Sequence, residues 1–310
     1  MVLVLNGAIQ DDCPRNTSSV FLQQPVYIDY AQQLHSIPPK SVSFVGLLFV
    51  GQREMATVAR HDKDVNIIGS DDATTCIIVV VRHSGSGAVA LAHFDGMGVN
   101  EAVCTMVVRV QELSLGYPDG RLELHLIGGY GDRRGYAEDI FYGIMQSFHK
   151  HRLHFDLKQA CVGELNTILR GDIKYPIVYG VGVNIKTGVI FPASFTDRGP
   201  DRQLRDARTF MGARTVLDIY DPTLGILRIK PFNYDPLRGV DLWLSQSDEY
   251  LLRHFSTSPE VEPPHFANQT RATIKFIQEH QCPAKSIFGD NLPRNYKRSE
   301  ITGCWTLVKY

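Results

Sequence analysis

Apolar residues recur along this chain with two periods, and the strand-like period dominates its first half. Residues 77–81 (Ile-Ile-Val-Val-Val) are apolar without alternation, the pattern of a strand covered on both faces. A second apolar arm follows at 88–94. The link His83-Ser84-Gly85-Ser86-Gly87 has the glycine and serine content of a tight turn, so 76–82 and 88–94 read as a β-hairpin. Further strands are expected at 43–51 and 65–68, and at 121–127, where charged and apolar residues alternate up to Gly128-Gly129. Two more hairpins are expected, 177–184 with 189–195 and 216–220 with 226–229. Helical periodicity appears at 100–113 and at 137–150, where Ile140, Ile144 and Phe148 recur at four-residue intervals. It returns at 200–211, 247–255 and 266–280, whereas 10–40 reads as irregular apart from a short strand at 25–28. Hairpins interleaved with helices argue for an α+β fold: a double, mostly antiparallel sheet with helices on one side. No linker, repeat or low-complexity tract divides the chain. One domain is therefore expected over 1–310, with a core at about 42–235 and a helical or irregular segment at about 240–310.

The hairpin also carries the most pointed chemistry. A polar loop, Gly69-Ser70-Asp71-Asp72-Ala73-Thr74-Thr75-Cys76, delivers one cysteine to the mouth of the first arm, and the second arm ends near His93. If the turn centres between Ser84 and Gly85, Cys76 and His93 stand opposite each other with Cβ atoms roughly 5 Å apart, within thiol–imidazole reach. Each residue also has a bland reading: a cysteine beside an apolar run is most often a small buried hydrophobe, and a lone histidine a satisfied core or surface group.

The loop 69–76, continued to His93-Phe94-Asp95-Gly96, resembles the family of N-terminal asparagine amidohydrolases, the eukaryotic deamidases of the N-degron pathway. Three later blocks are similar to the same family: 176–180 with 183–187; Ala193-Ser194-Phe195-Thr196-Asp197-Arg198-Gly199-Pro200; and 256–259 with 262–266. The resemblance runs in order over about residues 45–266. It implies kinship with cysteine hydrolases built as an α-β-β sandwich, a class that includes deamidating toxins. Carried onto this chain, it implies Cys76 as nucleophile, His93 as base and Ser70 as the third member, with Thr74, Thr75 and Asp72 competing for that last role. The implied substrate is a protein or peptide with an exposed N-terminal Asn.

Such chemistry is acyl transfer from a poor electrophile. It needs a thiolate, a proton donor for the departing nitrogen and an oxyanion site. A free thiol has a pKa near 8.5, so an imidazolium at His93 is expected to hold Cys76 ionised. The N–H groups of Thr75 and Cys76 are candidate oxyanion donors. Selecting a chain terminus calls for an acid that pairs with an α-ammonium; Asp71, Asp72 and Glu164 are the candidates, each of which also reads as a solvated loop acid.

Bulk properties narrow the alternatives. A net charge of −1 gives no electrostatic case for nucleic acid or an anionic membrane. No run approaches the ~20 apolar residues of a membrane span, and the apolar start at 1–5 is too short for a signal h-region. Six cysteines without a pairing pattern read as reduced thiols of a cytoplasmic or nuclear monomer, leaving the sequons at Asn16 and Asn268 unused. No cofactor or metal is expected. The His149–His154 cluster places His151 and His154 on one helix face, but no acid or thiol completes a ligand set and the flanking Lys150 and Arg152 disfavour a cation. Cys104 falls at an apolar-periodic helical position and is expected in the core. Two rival functions stay open: a thiol deamidase of glutamine or another amide, and a non-catalytic adaptor that only captures N-termini.

Overall fold

In the computed structural model, residues 2–10, 12–21 and 24–308 are described. The fold is α+β, organised around an eight-stranded sheet with strand order Leu217–Asp218, Glu54–Val58, Val89–Phe94, Ile77–His83, Leu122–Gly128, His154–Cys161, Val2–Leu5 and Ala8–Gln10. The predicted hairpin lies at its centre, and both its strands are antiparallel to their neighbours. Because side chains alternate across a strand, the unbroken apolar run has two destinations. Val79, Val81, Ala90 and Ala92 pack among Val103, Met106, Phe141 and Phe148, which come from the helices Val99–Glu112 and Tyr136–His149. Ile78, Val80, Val89 and Leu91 pack instead on Ile68, Val181 and Val183. Those three residues belong to a five-stranded sheet of Lys40–Val42, Ile190–Phe195, Val181–Asn184, Ile67–Ser70 and Leu47–Phe49. Helices, sheet and sheet therefore stack in the expected α-β-β order. Each of these fully buried Val, Ile or Leu side chains contributes about 1.5–3 kcal/mol by leaving water.

The helices at 99–112, 136–149, 202–210, 248–255 and 266–279 fall where the periodicity placed them. The segment 25–28 does not form a strand: Pro25 opens a helix, Pro25–Ser36, whose Tyr27, Ala31 and Leu34 share one buried face. Proline suits the first helical turn, where its missing N–H has no partner to lose. Glu54–Val58 and His154–Cys161 are strands that the pattern left unassigned. The tail is not merely helical or irregular either. Arg294–Arg298 and Trp305–Val308 join Tyr220–Asp221 and Ile226–Ile229 in a four-stranded sheet, beyond the expected core bounds. Cys104 is exposed, because the buried stripe of its helix runs through Val99, Ala102, Val103, Met106, Val107 and Val110. The helix after Gly135 ends at His149, and His154 starts a strand, so His151 and His154 do not share a helix face. Among the described residues no helix is long and apolar enough to cross a membrane.

Candidate active site

The hairpin loop takes in residues 84–87, closed by the Gly87 N–H donating to the His83 carbonyl at 2.8 Å. Its midpoint falls between Gly85 and Ser86, so His93 stands opposite Ile78 rather than Cys76. The expected register was two residues short. Because the side-chain period is also two, the error leaves the face unchanged. Cys76 sits just before the strand, half-buried, and packs on the same inter-sheet core as Ile78. His93 is on that side too, with 3% of its surface exposed. From the facing sheet, Ser70 ends the strand Ile67–Ser70 on the side of Ile68 and is fully buried. Its Oγ lies 2.8 Å from His93 Nδ1. His93 Nε2 has no hydrogen-bond partner among the described residues. Cys76, Thr75 and His93 line one cavity of about 640 Å³.

Of the competitors for the third position, Thr75 Oγ1 meets Thr257 Oγ1 at 2.8 Å, and Thr74 Oγ1 accepts from Ser258 Oγ at 2.8 Å. Asp72 is held by Arg198 at 2.6 Å and by His265 at 3.0 Å. Ser70 is the one that engages the His93 ring. Neither the Thr75 nor the Cys76 N–H donates to a backbone carbonyl among the described residues.

Burial sets the charge state of the pair. It pushes the His93 imidazole down to about 4, against the pull of the Asp95 and Asp72 carboxylates. It also pushes the Cys76 thiol well up, assisted by the charges of Asp95 and Glu262 and opposed by Arg53. Desolvation penalises the ionised forms of both groups, so burial by itself favours a neutral thiol and a neutral imidazole. The preformed thiolate–imidazolium pair expected from sequence is not the state these surroundings favour.

The acids named for ammonium recognition fall in different places. Asp71 and Asp72 line the cavity, but both are bound by Arg198, at 3.0 and 2.6 Å. Asp71 also accepts from the Phe195 N–H at 3.2 Å. Burial and the Asp72 charge push Asp71 up to about 6. For Asp72 the same desolvation is outweighed by His265 and Arg198, and its pKa is lowered. Gly180 permits this packing, since a Cβ there would come within 2.5 Å of the Asp71 Cβ. Glu164 lies elsewhere: it sits in a 3-10 turn, Gly163–Asn166, is about half exposed and pairs with Lys174 at 2.7 Å, off the cavity wall.

Comparison with known proteins bears on the family of the chain. The sequence model of one family, protein N-terminal asparagine amidohydrolase, matches residues 37–307. The chain belongs to that family. A protein N-terminal asparagine amidohydrolase of Homo sapiens is 39% identical over 295 residues, covering 95% of this chain and 94% of its own length. The protein of the same name from Mus musculus is also 39% identical over 295 residues, again covering 95% and 94%. That of Arabidopsis thaliana is 29% identical over 284 residues, 83% of this chain and 80% of its own. The match widens the stretch recognised by motif, reaching from 37 into the tail strands at 294–298 and 305–307.

In this amidohydrolase the tail supplies parts of the site that sequence reasoning passed over. Thr257 and Ser258, on the loop between the helices Asp248–Phe255 and Phe266–Glu279, bond to Thr75 and Thr74 beside the cysteine. Glu262, from the same loop, lines the cavity. Their only signal in the sequence was membership of the blocks 256–259 and 262–266, with no chemistry attached. Arg198 stood out only as a member of the block 193–200, and its grip on both aspartates carries no local signature.

Cys161 and His35 form a cysteine–histidine contact away from the cavity. His35 Nε2 lies 3.1 Å from Cys161 Sγ, which is itself 3.6 Å from Asn166 Oδ1. Neither Cys161 nor His35 lines the cavity. Cys161 is fully buried, and burial pushes its thiol far up and the His35 imidazole down. The Asn166 side chain is committed to the backbone of Gly129 and Val178. This contact is a structural clamp.

Proposed function

We propose that this chain hydrolyses the side-chain carboxamide of an N-terminal asparagine in proteins and peptides, giving aspartate and ammonia, with Cys76 as nucleophile. The observation that carries the reading is the His93 ring: Ser70 occupies Nδ1, and Nε2 has no partner among the described residues beside a cavity that Cys76 also lines. A hydroxyl on Nδ1 fixes the ring and leaves Nε2 to move protons, the role of the third group in nucleophile–base arrangements.

Burial, which disfavours charge on both groups, sets the order of events. As sulfur attacks the carboxamide carbon, Nε2 takes the thiol proton, so thiolate forms only together with the new C–S bond. The oxyanion lies toward the N–H groups of Thr75 and Cys76, which donate to no backbone carbonyl among the described residues. His93, now an imidazolium, returns its proton to the amide nitrogen, the C–N bond breaks and ammonia leaves. The product is a thioester on Cys76. Water, deprotonated by neutral His93, then attacks that thioester, releasing aspartate and restoring the thiol. The chain acts as one catalytic domain, a monomer of the cytoplasm or nucleus that needs no cofactor. Its product, an N-terminal aspartate, marks a protein for arginylation and ubiquitin-dependent degradation.

Ammonia release from peptides beginning Asn, Gln, acetyl-Asn and Ala-Asn tests the reading. Release from the Asn peptide alone is expected. One methylene separates Gln from Asn, worth about 1–3 kcal/mol in binding, and misplacement of the carbonyl from sulfur adds to it. Equal release from Gln, or any from Ala-Asn, would replace the reading with a general thiol deamidase. Capture of the Asn peptide without release would make the chain an adaptor.

A further inference from the structure

We propose that Glu262 receives the α-ammonium of the substrate, which makes the site selective for a chain terminus. The inference rests on the reading above and comes from the charges around the cavity. Six acids line it, and four are already in ion pairs with arginine. Asp71 and Asp72 share Arg198, Asp95 pairs with Arg53 at 2.7 Å, and Asp206 pairs with Arg202 at 2.9 Å. Asp139 is exposed to water at the rim. Glu262 is the remaining one: partly buried and in no ion pair among the described residues.

Its surroundings orient the carboxylate without cancelling its charge. Oε1 accepts from Ser256 Oγ at 2.5 Å and lies 3.2 Å from Ser258 Oγ. Ser258 in turn touches Thr74, two residues before the nucleophile. Neutral hydroxyls hold an anion in place but leave its field intact, and that field reaches the sulfur, where it raises the thiol. Burial pushes the Glu262 carboxyl above its ordinary value, so a cation bound there restores its charge, and a fixed, desolvated and uncompensated carboxylate is a receptor for one. The substrate's reacting carbonyl and its α-ammonium are separated by three bonds, so a group near sulfur that binds the ammonium also positions the carboxamide. An acetylated or internal asparagine brings no cation and leaves the acid unpaired, which is how such a site rejects it. The bound ammonium would also offset the charge that disfavours thiolate at Cys76.

The test compares an Asn-initiated tetrapeptide with its desamino analogue, which carries a succinamoyl group in place of asparagine. Binding is measured by calorimetry on Cys76→Ser and on Cys76→Ser with Glu262→Gln. The Gln variant should weaken the amino peptide by about 30-fold or more and the analogue by less than about threefold. Equal losses for both, or none for the amino peptide, would overturn the assignment. Thermal melting checks the fold. If Glu262→Gln unfolds, Glu262→Asp retracts the charge by one methylene and must lose affinity for the amino peptide selectively; an unchanged preference would overturn the assignment. Ammonia release by the unaltered chain runs alongside. Binding without release would defeat the deamidase reading while leaving the comparison at Glu262 readable.

Discussion

At the residue scale the site depends on a ring held by one hydroxyl in a place that refuses charge. Ser70 Oγ is 2.8 Å from His93 Nδ1, and both side chains are buried. Ser70→Ala removes that bond and leaves the ring free to rotate or to change tautomer, while the binding walls stay in place. A fall of about 10- to 100-fold in kcat with little change in KM is expected, part of the 10²–10⁴ that general acid–base catalysis supplies. An unchanged kcat would show that Ser70 does not orient the base. That Cys76 and His93 line one cavity and Ser70 meets the ring was legible because a polar loop, an apolar arm and a turn stand in one continuous stretch. The charge state was not, since it depends on burial by helices and strands more than a hundred residues away. Glu164 misled for a related reason: an acid after a strand looks the same in sequence whether it faces a cavity or a surface lysine.

Among the elements, the hairpin register shows what a pattern can and cannot specify. Glycine and serine at 84–87 announce a turn, yet the loop's internal bonding moves its centre by one position, and that displaces the pairing by two residues. Parity survives, so the functional face was readable when the exact partner was not. The helices of eight or more residues were legible from period alone, except Pro25–Ser36, which proline and a sparse apolar stripe hid; the short ones at Thr17–Phe21, Val240–Leu244 and Pro283–Ser286 were not. Arg198 illustrates a contact with no local trace. It reaches from the loop after Ile190–Phe195 to Asp71 and Asp72 at 3.0 and 2.6 Å, with one tenth of its side chain exposed. Arg198→Met would leave the buried Asp71 and the partly buried Asp72 without their arginine. A cost of about 3–5 kcal/mol in urea unfolding is expected, with activity falling as the loop before Cys76 shifts. A loss below about 1 kcal/mol would show that His265 and water suffice.

For the whole molecule, the α-β-β stack buries imidazoles that the unfolded chain exposes. His93 and His125 are pushed from 6.5 down to about 4, by burial in both cases. Between those values the unfolded chain binds protons that the folded chain refuses, so the stability present above about pH 6.5 is lost as pH falls toward 4. Asp71, raised to about 6, acts in the opposite sense, so the histidine part is read by difference. His125→Leu, outside the cavity, should shrink the fall in Tm between pH 6.5 and 4 relative to the unaltered protein. Parallel curves would mean that His125 titrates normally.

The most direct measurement is ammonia release from an Asn-initiated peptide by the unaltered chain and by Cys76→Ala, with folding verified by melting. The account predicts steady release by the first and a drop of at least about a thousandfold in the second. Release by Cys76→Ala within about tenfold of the unaltered chain would contradict it, because the sulfur would then form no bond that turnover requires.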